Sequence, residues 1–210
     1  MFIALNICED ALRCIDYMFR NELLNILNSV ERQSDKMFIP RIGRDDGIAI
    51  YTSLYIYASN RSSVVAIDAG AGIGYSTLWI SMPLEELCIN SHIYAIERDR
   101  YRYEILKRNI ASFPRKCIDM VPIYGDAIEY IKSSFSSNSI DFIFIDIDKY
   151  LYGVIFNVVK NKMVRGGIIA FHNAYMASDV VAKIVEDAID LGWKSTIIPT
   201  EEGILMLKVV

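Results

Sequence analysis

Apolar positions change their period partway along the chain. Over residues 1–35, Leu12, Ile15, Met18, Phe19, Leu23, Ile26, Leu27 and Val30 recur at helical spacing, which predicts helix. A stretch punctuated by glycine and proline, Pro40 to Gly47, precedes a second helical run over Ile48–Ser59. From residue 64 short apolar runs alternate with helical stretches. Strands are predicted at 64–68, 92–97, 120–124, 141–146 and 167–171, and helices at 76–82, 101–113, 127–133, 154–163 and 180–191. The run Asp141-Phe-Ile-Phe-Ile-Asp146 is apolar on both faces, as a strand is when helices cover its sheet on both sides. The ending breaks this rhythm: 195–199, then Glu201-Glu202-Gly203, then 204–210 read as two strands joined by a tight turn. The pattern predicts an α/β fold: a doubly wound, mostly parallel seven-stranded sheet, a C-terminal antiparallel hairpin and an N-terminal helical cap.

The length of 210 residues fits one domain over 1–210, with 1–60 as the helical cap region and 61–210 as the sheet. A chain that is 53% hydrophobic offsets its ordering entropy, which excludes disorder. No apolar run reaches the roughly 18 residues of a membrane span; that from Ile140 to Ile147 is already broken by Asp141 and Asp146. Glu9 and Asp10 within the first apolar stretch argue against a signal peptide. Cys8, Cys14, Cys88 and Cys117 form no CxxC pair and read as reduced, buried thiols of a cytoplasmic protein. The net charge of −4 argues against a general nucleic-acid binder.

Candidate chemistry begins with Asp68-Ala-Gly70-Ala-Gly72-Ile-Gly74-Tyr-Ser76, between a buried strand and a helix. Glycines there allow a tight turn and close approach to a ligand, while the helix start offers unpaired amides. The spacing is GxGxG rather than the GxGxxG of a dinucleotide site, which together with the hairpin ending disfavours an NAD-linked enzyme. A bare strand-to-helix turn uses the same glycines. Asp68, Glu97, Asp126 and Asp146, however, all fall at ends of successive strands, which line one crevice in a doubly wound sheet. Four acids suit a cationic ligand better than a pyrophosphate.

These residues together resemble class I S-adenosylmethionine-dependent methyltransferases with a Rossmann-like sheet. More narrowly, they resemble the cation-dependent O-methyltransferase family that includes catechol and caffeoyl-CoA O-methyltransferases. The resemblance rests on Asp68-Ala-Gly-Ala-Gly-Ile-Gly-Tyr-Ser-Thr-Leu-Trp79, Ile96-Glu97, Gly125-Asp126-Ala127 and Asp141-Phe-Ile-Phe-Ile-Asp-Ile-Asp-Lys149. It implies that Asp68, Gly70, Gly72, Gly74 and Ser76 belong to the S-adenosylmethionine site, with Ile42 of the segment Ile42-Gly43 touching the same cofactor. It implies that Glu97 binds the ribose, that Asp126 and Ala127 flank the adenine, and that Asp146 lies near the methionine amino group and ligates a metal. Lys149 is the implied general base for transfer of a methyl group to a hydroxyl of a small, aromatic, catechol-type acceptor.

Two positions depart from the family. Its metal site continues with an Asp-Asn pair after the fifth strand, where this chain has His172-Asn173. The implied ligands become Asp146, His172 and Asn173, a set less suited to magnesium than to manganese or a softer ion. Three readings stand: a softer metal replaces magnesium, the site is metal-free with His172 as a base, or His172 only hydrogen-bonds a neighbour. The second departure is Leu151, where the family's DxDKxNY run has asparagine.

The basic residues Arg98, Arg100, Arg102, Lys107 and Arg108 are interleaved with Asp99 and Glu104, so a solvated helix face is favoured over a nucleic-acid contact. A tRNA-modifying methyltransferase of the same family and a non-catalytic S-adenosylmethionine-binding protein are the alternative functions. The resemblance also implies a homodimer, and no membrane partner is expected.

Overall fold

The computed structural model describes residues 21–210. The helical positions Leu12, Ile15, Met18 and Phe19, and the thiols Cys8 and Cys14, lie outside the described residues. Helix α1 (Asn21–Met37) buries Leu23, Leu27, Val30 and Ser34, a stripe at helical spacing. It turns out through the Ser34 hydroxyl, which donates to the Ile39 carbonyl at 2.7 Å. Helix α2 (Arg44–Ala58) starts four residues before the predicted Ile48. Gly43 is its extended N-cap, and the Asp46 carboxylate accepts from the Gly43 amide at 2.9 Å. With Asp45 beside it, this acid also complements the positive end of the helix dipole. Only residues 40–43 of the Pro40–Gly47 stretch therefore lie outside the helix.

The sheet comprises β1 (Ser63–Ala69), β2 (Asn90–Glu97), β3 (Ile118–Tyr124), β4 (Ile140–Ile145), β5 (Met163–Phe171), β6 (Lys194–Ile198) and β7 (Ile204–Lys208). Its order is β3-β2-β1-β4-β5-β7-β6. Strands β1 to β5 pair in parallel, and β7 enters antiparallel between β5 and β6. The connecting helices are α3 (Tyr75–Glu86), α4 (Arg100–Ser112), α5 (Ala127–Ser134), α6 (Tyr152–Val159), preceded by a 3-10 turn at Lys149–Leu151, and α7 (Ser178–Asp190). Phe142 and Phe144 on one face of β4 join a core with α1 to α4, whereas Ile143 and Ile145 on the other join one with α5 to α7. This is the Rossmann-like architecture with its closing hairpin. Among the described residues no helix is long and apolar enough to cross a membrane.

Two contacts fix the frame around the crevice. A Cβ at Gly47 would overlap the Trp79 indole, so the absence of a side chain lets α2 lie directly on α3. At the opposite end of the sheet, the Asp141 carboxylate accepts from the Tyr57 hydroxyl at 2.6 Å and the Val65 amide at 2.9 Å, with Arg61 3.7 Å away.

The expectation of reduced, buried thiols is corrected at two positions. Cys88 and Cys117 form a disulfide with Cα atoms 5.0 Å apart, Cys88 exposed and Cys117 half-buried. Their 29-residue separation hid the pairing. The register Ser91↔Ile118 brings the turn before β2 and the start of β3 together. The cytoplasmic expectation thereby loses the argument it drew from free thiols. Closing a loop of 29 residues stabilises by about 3–4 kcal/mol on the chain-entropy account. The same segment is also held by Glu85, which accepts from the Lys116 amide at 2.8 Å and the Cys117 amide at 3.1 Å. Dithiothreitol, or Cys88→Ser, is therefore expected to lower Tm by about 10 °C while leaving the far-UV circular dichroism unchanged. An unchanged Tm would show that the bridge adds nothing to stability.

Candidate active site

The sheet register extends one rung past the strands, and the candidate residues sit on that rung. Ala69 pairs with Ile96 and Ile145, and Ile145 pairs with Phe171. Gly70, Glu97, Asp146 and His172 thus follow side by side. The next hydrogen bonds confirm it: Gly70 N to Ile96 O at 3.1 Å, Asp146 N to Ala69 O at 2.9 Å and His172 N to Ile145 O at 3.0 Å.

Two glycines need their lack of a side chain. Gly70 has φ +96°, and a Cβ there would strike the Asp146 carbonyl, so the loop lies against the end of β4. Gly72, at φ +56°, faces open space, and its amide donates to Glu97 Oε2 at 2.8 Å. Glu97 Oε1 accepts from the Asp99 amide at 2.7 Å, which fixes this buried carboxylate under the loop.

A cleft of about 320 Å³ opens above that rung, at the point where the strand order reverses between β1 and β4. Gly70, Gly72, Glu97, Asp126, Ala127, Asp146 and Lys149 line it. Ile42 and Ser76 line an adjoining hollow shared with Gly70, Gly72 and Asp146. Asp126 also caps α5, accepting from the Glu129 amide at 3.1 Å. Gly74 is the left-handed N-cap of α3 and lines neither space. Asp68 stands behind the loop, fully buried, accepting from Ser76 Oγ at 2.7 Å and Thr77 Oγ1 at 2.6 Å. Burial pushes its carboxyl up to about 7, against those two hydroxyls and with the help of the nearby Asp146 and Glu97 charges. Its role here is to brace the start of α3.

His172 and Asn173 line neither space. The His172 ring is buried, with Nε2 3.0 Å from Asp46 Oδ2 and Nδ1 3.4 Å from Asp146 Oδ1. The first contact is a hydrogen bond; the second is an ion pair without hydrogen-bond alignment, since Nδ1 has no such partner. Lys149 Nζ donates to the same Asp146 Oδ1 at 3.1 Å. The Tyr152 hydroxyl holds the His172 carbonyl at 2.8 Å, and the Asn173 amide donates to Glu202 Oε2 at 2.9 Å. Burial alone would lower the His172 pKa, but Asp146 and Asp46 together raise it to about 9. Burial pushes both carboxyls up, and the His172 charge, with Lys149 for Asp146, more than reverses this and holds each below the usual range.

The implied metal ligands do not fit a metal in this arrangement. Both ring nitrogens of His172 face carboxylate oxygens, which only accept, so the ring presents protons where a ligand needs a lone pair. Asp146 already meets two cationic side chains. Among the described residues, no three His, Cys, Asp or Glu side chains are grouped to hold a metal ion.

Sequence reasoning missed Asp46 and Glu202. An acid three residues after Gly43 reads as an ordinary helix cap, which Asp46 also is; its burial against His172 arises only from the docking of α2. Glu202 was legible only as part of a turn. The raised His172 pKa carries a sign: its ion pairs stabilise the fold fully below about 6.5, and that contribution is lost as pH rises through about 9. Imidazole NMR of a chain with two histidines should show one ring titrating near pH 9, and His92→Gln identifies the other signal. A His172 ring neutral at pH 7 would contradict the ion-pair arrangement.

No curated protein sequence matches the chain. Solved structures do: an O-methyltransferase from Bacillus cereus in complex with S-adenosylhomocysteine has TM-score 0.72 at 17% identity, covering 89% of this chain and 91% of that one. The O-methyltransferase TomG from Streptomyces achromogenes, involved in tomaymycin synthesis and solved with S-adenosylmethionine, has TM-score 0.71 at 15% identity, covering 88% and 89%. A methyltransferase from Geobacter sulfurreducens has TM-score 0.69 at 16% identity, covering 89% and 90%. At these identities the likeness speaks for the fold. The O-methyltransferase family model matches residues 19–191, from before α1 through α7, and the chain belongs to that family.

Proposed function

We propose that this protein transfers a methyl group from S-adenosylmethionine to a hydroxyl of a small aromatic acceptor, and that it binds the cofactor in the cleft at the ends of β1 to β4. The observation that carries the reading is the glycine loop closed over Glu97. The Gly72 amide and the Asp99 amide hold the carboxylate by one hydrogen bond to each oxygen, and the space beside Gly72 is open. A carboxylate so fixed retains lone pairs for two ribose hydroxyls, and ordering it beforehand lowers the cost of binding. Ala127 and Ile128 offer apolar surface to an adenine on the β3 side, and the Asp146 carboxylate offers a hydrogen-bond acceptor on the β4 side, where the amino group belongs.

When bound, S-adenosylmethionine supplies a sulfonium methyl for in-line displacement: the acceptor oxygen gains the methyl, and the sulfur leaves with the C–S electron pair as S-adenosylhomocysteine. The residues of the chain align the acceptor and take its proton. Lys149 stands at the cleft edge, 3.1 Å from Asp146, and is the proton acceptor we assign; the ammonium paired with Asp146 has to give a proton to solvent before it takes that of the acceptor, and His172 remains as the cation beside Asp146. His172 is buried and doubly paired, which leaves it no role as a base.

S-adenosylhomocysteine binding by calorimetry is expected for the wild type and should weaken at least tenfold in Glu97→Ala. Lys149→Ala should lower kcat by about 10²–10⁴ with catechol-type acceptors while cofactor affinity stays within about threefold. Lys149→Arg keeps the charge without a ready base and should be as slow. Undiminished turnover in both would remove Lys149 from the mechanism, and absence of S-adenosylhomocysteine binding would overturn the reading.

A further inference from the structure

Asp46 comes from the first turn of α2 and Asp146 from the end of β4, two elements far apart in sequence. Their carboxylates approach one side chain from opposite edges of a ring, Asp46 at Nε2 and Asp146 at Nδ1. A fully buried carboxylate, Asp46, brought up to a second one at the cleft wall, Asp146, needs a cation between them. We infer that the His172 imidazolium is that cation, so that the Asp46–His172–Asp146 chain does permanently what a bound divalent ion would do, and the site works without a metal. The inference deepens the methyltransferase reading but its geometry stands without it.

Charge counting supports this. Asp46 and Asp146 are balanced by His172 and Lys149 at 3.0 to 3.4 Å. A divalent ion entering the same place would have to strip a proton from His172 and displace Lys149, which makes binding weak at neutral pH. The remaining candidate ligand, Asn173, is turned by its bond to Glu202, and its backbone is left-handed at φ +51°. The 3-10 turn at Lys149–Leu151 and the β5 end at Phe171 are then registered on each other through a fixed internal charge: Lys149 holds Asp146, Asp146 holds His172, and Tyr152 holds the His172 carbonyl. Asp46 and His172 are positioning residues in this scheme, since neither lines the cleft.

The test uses Mn2+ as the probe and the full chain throughout. For the wild type after EDTA treatment, electron paramagnetic resonance should find Mn2+ free up to the millimolar range, and added Mn2+ should leave the His172 imidazole signal unbroadened. His172→Asp removes the internal cation and leaves three carboxylates; it should bind Mn2+ at least tenfold more tightly than the wild type, and Asp46→Asn added to it should reverse the gain. Stoichiometric Mn2+ binding by the wild type that vanishes in Asp146→Asn, or broadening of the His172 signal, would overturn the inference. So would a folded His172→Asp protein that gains no affinity. Should that variant not fold, the wild-type spectra still decide. S-adenosylhomocysteine binding in the same samples separates the two proposals: its failure defeats the methyltransferase reading and leaves the Mn2+ result standing.

Discussion

Burying like charges is the constraint around which the site is organised. Asp46 and His172 are withdrawn from water almost completely, and Asp146 lies beside them at the cleft. Each charge is tolerable only because the next opposes it, and removing His172 leaves the fully buried Asp46 carboxylate without a cation, a loss of about 3–5 kcal/mol by general experience. The ion pairs therefore dictate where α2 must sit, how β4 and β5 must align and where the 3-10 turn after β4 can run. The glycines serve the same end. Gly47 lets α2 close on Trp79, and Gly70 lets the loop press on the Asp146 backbone; a methyl at either place would push the carboxylates out of register.

The cleft divides into an end of fixed hydrogen bonds and an end of fixed charges. On the β1–β3 side, backbone amides orient Glu97 and Asp126: those of Gly72 and Asp99 hold the first, and that of Glu129 holds the second. On the β4–β5 side, orientation comes from side chains of distant elements. A fixed arrangement of this kind costs no reorganisation when charge moves during a reaction, which is where preorganised sites gain their advantage over water.

The same division explains what could be read from the sequence. The strands were legible because their apolar runs are short and uninterrupted, and three of the four acids, Glu97, Asp126 and Asp146, were legible because parallel register carries them to one edge, whereas Asp68 is buried behind the loop and lines no part of the cleft. The glycine loop was legible from its position between β1 and α3. Helix α2 was placed four residues late, since Gly43 and Asp46 make a cap with no hydroxyl or amide side chain at the N-cap to announce it. The role of Asp46 depends on a contact 126 residues away, and the Cys88–Cys117 bridge depends on the β2–β3 register. Both are tertiary facts with no local signature. The histidine in place of an aspartate was visible at once, but its meaning required the second carboxylate that faces it.

The knot at the far end of the sheet has a consequence of its own. Asp141 ties the end of α2 through Tyr57, the start of β1 through Val65 and the β-sheet entry through Arg61, all on the side away from the cleft. Strand β4 is thus anchored at one end by a carboxylate that serves only the scaffold and carries at the other a carboxylate that serves the site. Variation in the segment after Lys149, whose Leu151 lines the cleft, can reshape what the cleft admits while that anchorage stays intact. A lineage or a designer seeking new acceptors has freedom at one rim of the sheet and almost none at the other.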